Sequence, residues 1–192
     1  LGCMIEYYRK RLESEELAVG DDVDYLMDLD LDKLSREERA GVCETLIQQE
    51  YIREAYDVVK VYGCEGIREA RLLKLCTRMI LNRLFDEDDT LLQLSCSLFS
   101  EGRYDSVVLD YLCEHFNGTV SQMYEVLIQG VREHVETYDL EERLLCQMLF
   151  TGCCEQMDSV FELYMKRKPT REIIVKAYFT QKCVQYFLEN QE

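Results

Sequence analysis

Three six-residue blocks decide how this chain is read: VCETLI at 42–47, LSCSLF at 94–99 and LCQMLF at 145–150. Each runs aliphatic, small, two variable residues, Leu, then aliphatic or aromatic. The small positions are Cys43, Ser95 and Cys146, separated by 52 and 51 residues. Where two antiparallel helices cross, a slim side chain lets the axes approach, and a Leu three positions on fills the groove beside it. A recurrence of this kind marks an internal repeat, because a single helical pair cannot bury its own apolar face and must stack on the next.

Working outward, each block is followed by a short turn and a second matching helix. Ala55-Tyr56 with Val59 corresponds to Val107-Val108 with Tyr111, and to Val160-Phe161 with Tyr164. The third copy carries a longer turn, TGCCEQ. A longer helix then follows each pair, at about 67–85, 119–137 and 171–189. The unit is three helices, repeated over 35–87, 88–138 and 139–192 after a partial unit at 1–34. Caps place the boundaries. Ser35 with Glu38 and Thr119 with Gln122 are Ser/Thr-x-x-Glu/Gln capping boxes, and Asp139 with Glu142 is a weaker relative. Gly63 closes one helix, and Asn117-Gly118 suits a left-handed helix end. One proline, Pro169, and nine glycines interrupt the chain. The brief VDYLMDLDL is its nearest approach to a strand. The expectation is an all-α fold: a single domain of antiparallel helices stacked as an α-solenoid, with about 10–11 helices.

The pairing of Cys43 and Leu46 on one helix with Ala55 opening the next resembles the tetratricopeptide hairpin, and YIREAYDVVKVYG is the most similar stretch. The resemblance covers about 30 residues in each of three places and implies a helical repeat that presents a surface to partners. The whole chain also resembles an uncharacterised segment of large proteins from anaerobic Gram-positive bacteria, a likeness that implies no activity.

The totals restrict the functional classes. The formal net charge is −16. Such a surface repels phosphate backbones and anionic lipid, so neither nucleic acid nor a membrane is the expected partner. No apolar run approaches the ~18 residues of a membrane span, and the opening LGCMIEYYRK lacks the apolar core of a signal peptide. A chain that starts in helix-like sequence without Met reads as part of a longer protein. The ten cysteines, spread over apolar helical faces, read as small buried hydrophobes in a reducing, cytoplasmic setting.

DLDLDKLSREER (28–39) opens like a calcium loop, but Lys33 stands where the loop needs Gly and Arg39 where it needs a bidentate Glu. It reads as an acidic turn in which Leu29, Leu31 and Leu34 tuck inward. Residues 13–32 hold nine acids and FDEDD (85–89) four more, suiting solubility or a basic partner. The helix at 67–85 departs from that trend: Arg68, Arg71, Lys74 and Arg78 form a basic stripe. This stripe either holds an acidic peptide or other anion, or pairs with acids on adjacent helices. GCEG (63–66) before it offers backbone donors to an anion.

Metal and nucleophile signals are thin. His115 and His134 fall in separate helices, and no Cys-x-x-Cys or His-Glu-x-x-His pair occurs. Cys153-Cys154 is a vicinal pair in a turn, and Cys113 and His115 lie about 200° apart round a helix. Asn117-Gly118-Thr119 matches a glycosylation acceptor but reads as a turn between helices. The thirteen tyrosines suit core edges, with some as anchors on a concave surface. No fingerprint of a cofactor or catalytic constellation appears, so none is expected. The expected function is a non-enzymatic protein–protein interaction scaffold or spacer within a larger protein, binding a protein, a peptide or other domains of its own chain. The alternative is a helical accessory domain supporting an enzyme elsewhere in the parent chain.

Overall fold

The structure, a computed structural model, describes residues 28–84, 89–153, 155–166 and 170–191. Most of the partial unit at 1–34, and most of VDYLMDLDL and FDEDD, lie outside these residues. Within them are a 3-10 turn at Leu31–Lys33 and nine α-helices: α1 Arg36–Gln48, α2 Ile52–Tyr62, α3 Glu69–Leu81, α4 Thr90–Ser100, α5 Ser106–His115, α6 Val120–Arg132, α7 Tyr138–Thr151, α8 Met157–Met165 and α9 Glu172–Glu189. No strand occurs among the described residues. The fold is all-α, as the spacing of apolar residues requires.

Two of the predicted starts form as expected. Ser35 Oγ accepts from the Glu38 N–H while Glu38 accepts from the Ser35 N–H, and Thr119 with Gln122 repeats the arrangement. The Asp139–Glu142 cap does not form. α7 starts two residues earlier, with Thr137 as its N-cap; Thr137 Oγ1 donates to Glu141, and Glu142 is drawn to Arg171. Gly63 closes α2 at φ +82°. Gly118 is not left-handed; a Cβ there would lie 2.5 Å from the Phe116 ring and 2.7 Å from Gln122 Oε1, so a larger residue would displace both side chains.

The left-handed ends fall instead at Glu50, Arg83, Gly102 and His134, each two residues beyond a helix. At each, the next N–H reaches back to the carbonyl five residues earlier: Tyr51 to Leu46 (2.9 Å), Leu84 to Met79 (2.9 Å), Arg103 to Leu98 (2.8 Å) and Val135 to Gly130 (2.9 Å). These are Schellman motifs, which satisfy carbonyls that a helix end leaves open. α7 ends on left-handed Gly152, with Cys153 N–H bonded to Met148 O. Glutamate, arginine and histidine at such positions hide the signal from a reader looking for glycine. His134 is thereby a turn residue, not a helical one.

The chain forms two compact units, Leu1–Val108 and Leu109–Glu192, divided inside α5. In the first, α1 packs on α2 and α3, α2 on α3, and α3 on α4. In the second, α7 packs on α6, α8 and α9. The first helix of a triplet therefore touches both others in α1–α2–α3 and again in α7–α8–α9. The second helices bury matching positions: Ile52, Ala55, Tyr56 and Val59 in α2, Met157, Val160, Phe161 and Tyr164 in α8. In α5 Val108 and Tyr111 are buried at the matching positions, Val107 is half-buried, and Leu109 and Leu112 join the buried set.

The slim positions of the three blocks do not share one environment. Cys43 is buried, its thiol donating to Ala55 O at 3.5 Å where α1 meets α2. Ser95 is buried too, but against Cys76 of the preceding helix α3. Cys146 is exposed, and Leu144, Leu145 and Met148 carry the inward face of α7. In α1 and α4 both members of the aliphatic–slim pair are buried, whereas the inward face of α7 runs through Leu140, Glu141, Leu144, Leu145 and Met148 and leaves Cys146 on the outer side.

His134→Gly should stabilise the protein by about 1 kcal/mol, because glycine adopts the left-handed conformation without strain. Urea unfolding monitored by circular dichroism checks this; a loss of stability would show that the imidazole matters more than the backbone.

Candidate functional site

The basic stripe of α3 lies against α1. Glu44, on the buried face of α1, accepts from the Arg68 N–H (3.0 Å), Nε (3.1 Å) and an Nη (2.8 Å). Its side chain is only 4% exposed. Arg71 bonds Gln48 Oε1. Lys74 Nζ lies 3.0 Å from Glu50 Oε1, and Arg78 Nε lies 3.0 Å from Glu50 Oε2. The Glu50 pKa is lowered: burial opposes this, and the hydrogen bonds and charges of Lys74 and Arg78 outweigh it. The four cations are thus brought together in one row, with their partners on α1 and in the turn that ends it. Charge reversal at Arg71 and Lys74 would strike this seam before reporting on any external partner.

The acidic turn has local partners as well. Asp30 caps the 3-10 turn by accepting from Asp32 N–H at 3.2 Å, Tyr62 donates to Asp32, and Lys33 lies 3.7 Å from Asp30. Leu34 is buried, while Leu29 and Leu31 are only half-buried. In the GCEG turn, Glu65 pairs with Arg36 at 2.8 Å. No group of three His, Cys, Asp or Glu is placed to hold a metal among the described residues.

The eight described cysteines are free thiols. Cys43, Cys76 and Cys113 are buried, Cys64, Cys96 and Cys153 half-buried, and Cys146 and Cys183 exposed. The reading of cysteines as core hydrophobes therefore holds for some and fails for Cys146 and Cys183. Burial pushes the Cys43, Cys76 and Cys113 thiols up to about 12 and Cys96 up to about 11. Such groups stay protonated near neutral pH and are poor nucleophiles. Cys154 lies outside the described residues. His115 stacks obliquely on Tyr111, ring centroids 4.8 Å apart.

Two features escaped the sequence. The first is a cavity of about 300 Å³ lined by Val131, His134, Val135, Thr137, Glu141, Leu163 and Lys166. Glu141 is 1% exposed; its Oε1 accepts from Thr137 at 2.8 Å and its Oε2 has no hydrogen-bond partner. The second feature is α9. Only Ile174 and Tyr178 are buried there, whereas Ile173, Phe179, Val184, Tyr186, Phe187 and Leu188 are 46–68% exposed. Amphipathic spacing cannot tell which of two apolar stripes finds a neighbour.

Comparison with known sequences decides the kinship. Residues 1–86 match the N-terminal part, and residues 88–192 the C-terminal part, of a family described as a family of unknown function, DUF5717. The chain belongs to this family. No curated protein and no solved structure matches it. The two matched parts of the DUF5717 sequence meet between α3 and α4. No described helix of this family member is long and apolar enough to cross a membrane.

Glu44→Ala should cost about 2–3 kcal/mol, the range for hydrogen bonds to charged groups in a buried setting. Glu50→Gln, with its half-exposed partners, should cost about 0.5 kcal/mol. Chemical denaturation of both variants tests the ranking, and equal costs would refute it. Glu141 carries a pH signature. Burial raises its pKa, against the Thr137 hydrogen bond. The folded chain thus keeps this proton to higher pH than the unfolded chain, and its contribution falls as pH rises above about 4.3. Glu141→Gln should gain about 1 kcal/mol at pH 7, a gain that vanishes at pH 4 in thermal melts.

Proposed function

We propose that this DUF5717 chain is a non-enzymatic protein–protein interaction scaffold or spacer module of the tetratricopeptide-like helical-repeat kind, acting within a larger cytoplasmic protein. The observation that carries the reading is the outward side of α9. An 18-residue helix with six large apolar side chains 46–68% exposed is a surface that water disfavours and that another protein surface satisfies. The charge of −16 supports it: such a surface repels nucleic acid and anionic lipid and leaves protein as the natural partner. The protonated, buried thiols fit a structural role for those cysteines. The basic row on α3 serves the module's own rigidity, which a spacer needs.

A photo-crosslinking residue placed at Phe187 on α9, and separately at Asp57 on the exposed side of α2, tests this in cells that make the protein. Adducts to one defined protein, or to another part of the parent polypeptide, are expected from 187 and not from 57. No adduct from 187 in soluble, folded protein would refute the scaffold reading.

A further inference from the structure

The triplets α1–α2–α3 and α7–α8–α9 end in helices of the same register. Arg68 and Arg171 occupy their N-cap positions, and each pairs with a glutamate of the triplet's first helix, Glu44 or Glu142. Counted from those arginines, Glu69 and Glu172 hold the first helical position, and Thr77 and Thr180 the ninth. On α3 these residues receive the next helix pair. Glu69 takes Arg103 at 2.9 Å, and Thr77 Oγ1 donates to Asp105 Oδ2 at 2.6 Å. Arg103 and Asp105 both belong to the turn joining α4 to α5. Cys76, one position earlier, lies against Ser95 of α4.

On α9 the same residues recur without such a guest. Glu172 lies 2.9 Å from Lys176 Nζ, and Thr180 Oγ1 donates to Lys176 O at 2.8 Å, so both are turned back on their own helix. Phe179, in the register of Cys76, is 55% exposed, and Phe187 two turns on is 67% exposed.

We propose that this side of α9 is the seat of a further helix pair of the α4–α5 kind, the opening of another repeat in the same polypeptide, whose connecting turn carries Arg-x-Asp to meet Glu172 and Thr180. The apolar side chains supply the attraction. The polar pair sets the register, since a misplaced helix would leave buried polar groups unpaired. The inference rests on the scaffold reading and specifies what covers one end of the module.

The test appends a copy of residues 85–138 to Glu192, which keeps the spacing found between α3 and α4. The exposed Cys183 on α9 and the exposed Cys146 on α7 are labelled with a maleimide, the latter as reference. The expected result is a fall of at least tenfold in the Cys183 rate relative to Cys146, largely reversed by Glu172→Gln with Thr180→Val in the extended chain. An unchanged ratio overturns the proposal, whether or not the added segment is helical. So does a dimer of the unextended chain in sedimentation equilibrium that protects Cys183 and is lost on Phe187→Asp, which would assign the face to a second copy. Failure here leaves the scaffold reading to the crosslinking result, which detects any occupant of α9.

Discussion

A carboxylate buried on α1 holds the start of α3. Removing the charge of Glu44 from water is costly unless its oxygens are fully hydrogen-bonded. Arg68 supplies three donors, one of them its own backbone N–H. α3 has no side-chain cap of its own, so Glu44 acts as a cap delivered from another helix. This single contact fixes where α3 begins and how it lies against α1. The second unit uses the same logic with a relay: Tyr164 accepts the Arg171 N–H at 2.7 Å, and Glu142 takes the guanidinium at 2.8 Å. Arginine suits the task because its planar fork can meet a carboxylate from the side while its backbone starts a helix.

The same constraint changes how the basic helix is understood. Arg71, Lys74 and Arg78 follow Arg68 along one side of α3, and α1 presents Gln48 and Glu50 to them in turn. Exposed pairs of this kind are individually weak. Their value lies in company with the first contact, because a helix displaced along α1 would separate the Arg68 N–H and guanidinium from the buried Glu44. A charge pattern that looks outward-facing on paper is here the seam within a triplet. Glu50 joins this seam from a left-handed turn, so the conformation that ends α1 also aims its carboxylate at α3.

What the sequence revealed was set by the range of each interaction. Capping boxes at Ser35 and Thr119 involve residues three apart, and their chemistry is legible without a fold. The all-helical class followed from apolar spacing for the same reason. The Schellman ends at Glu50, Arg83 and His134 were hidden, because tertiary packing holds a non-glycine residue where propensity alone would ask for glycine. The slim-residue rule failed at Cys146 because the inward face of α7 runs through Leu140, Leu144, Leu145 and Met148, and which face of a helix finds neighbours is set by tertiary packing. The stripe of four cations was visible, but its partners sit 23–28 residues away, and no local pattern names them. The apolar surplus on α9 was unreadable for a related reason: burial depends on which neighbours are present.

The balance of charge explains why α9 can offer so much apolar surface on a chain this acidic. A molecule carrying −16 repels its own kind and most cellular anions at long range, which protects against indiscriminate association. On α9 itself Glu172 and Glu189 are offset by Lys176 and Lys182, and Lys182 also lies 3.2 Å from Asp158. The helix is therefore a locally neutral strip on a negative body. An incoming surface meets the general repulsion until it is close, and then finds a face with no net charge to desolvate. Selectivity must come from shape and from the few polar groups beside the aromatic side chains, because neither net attraction nor hydrophobic area alone discriminates among partners.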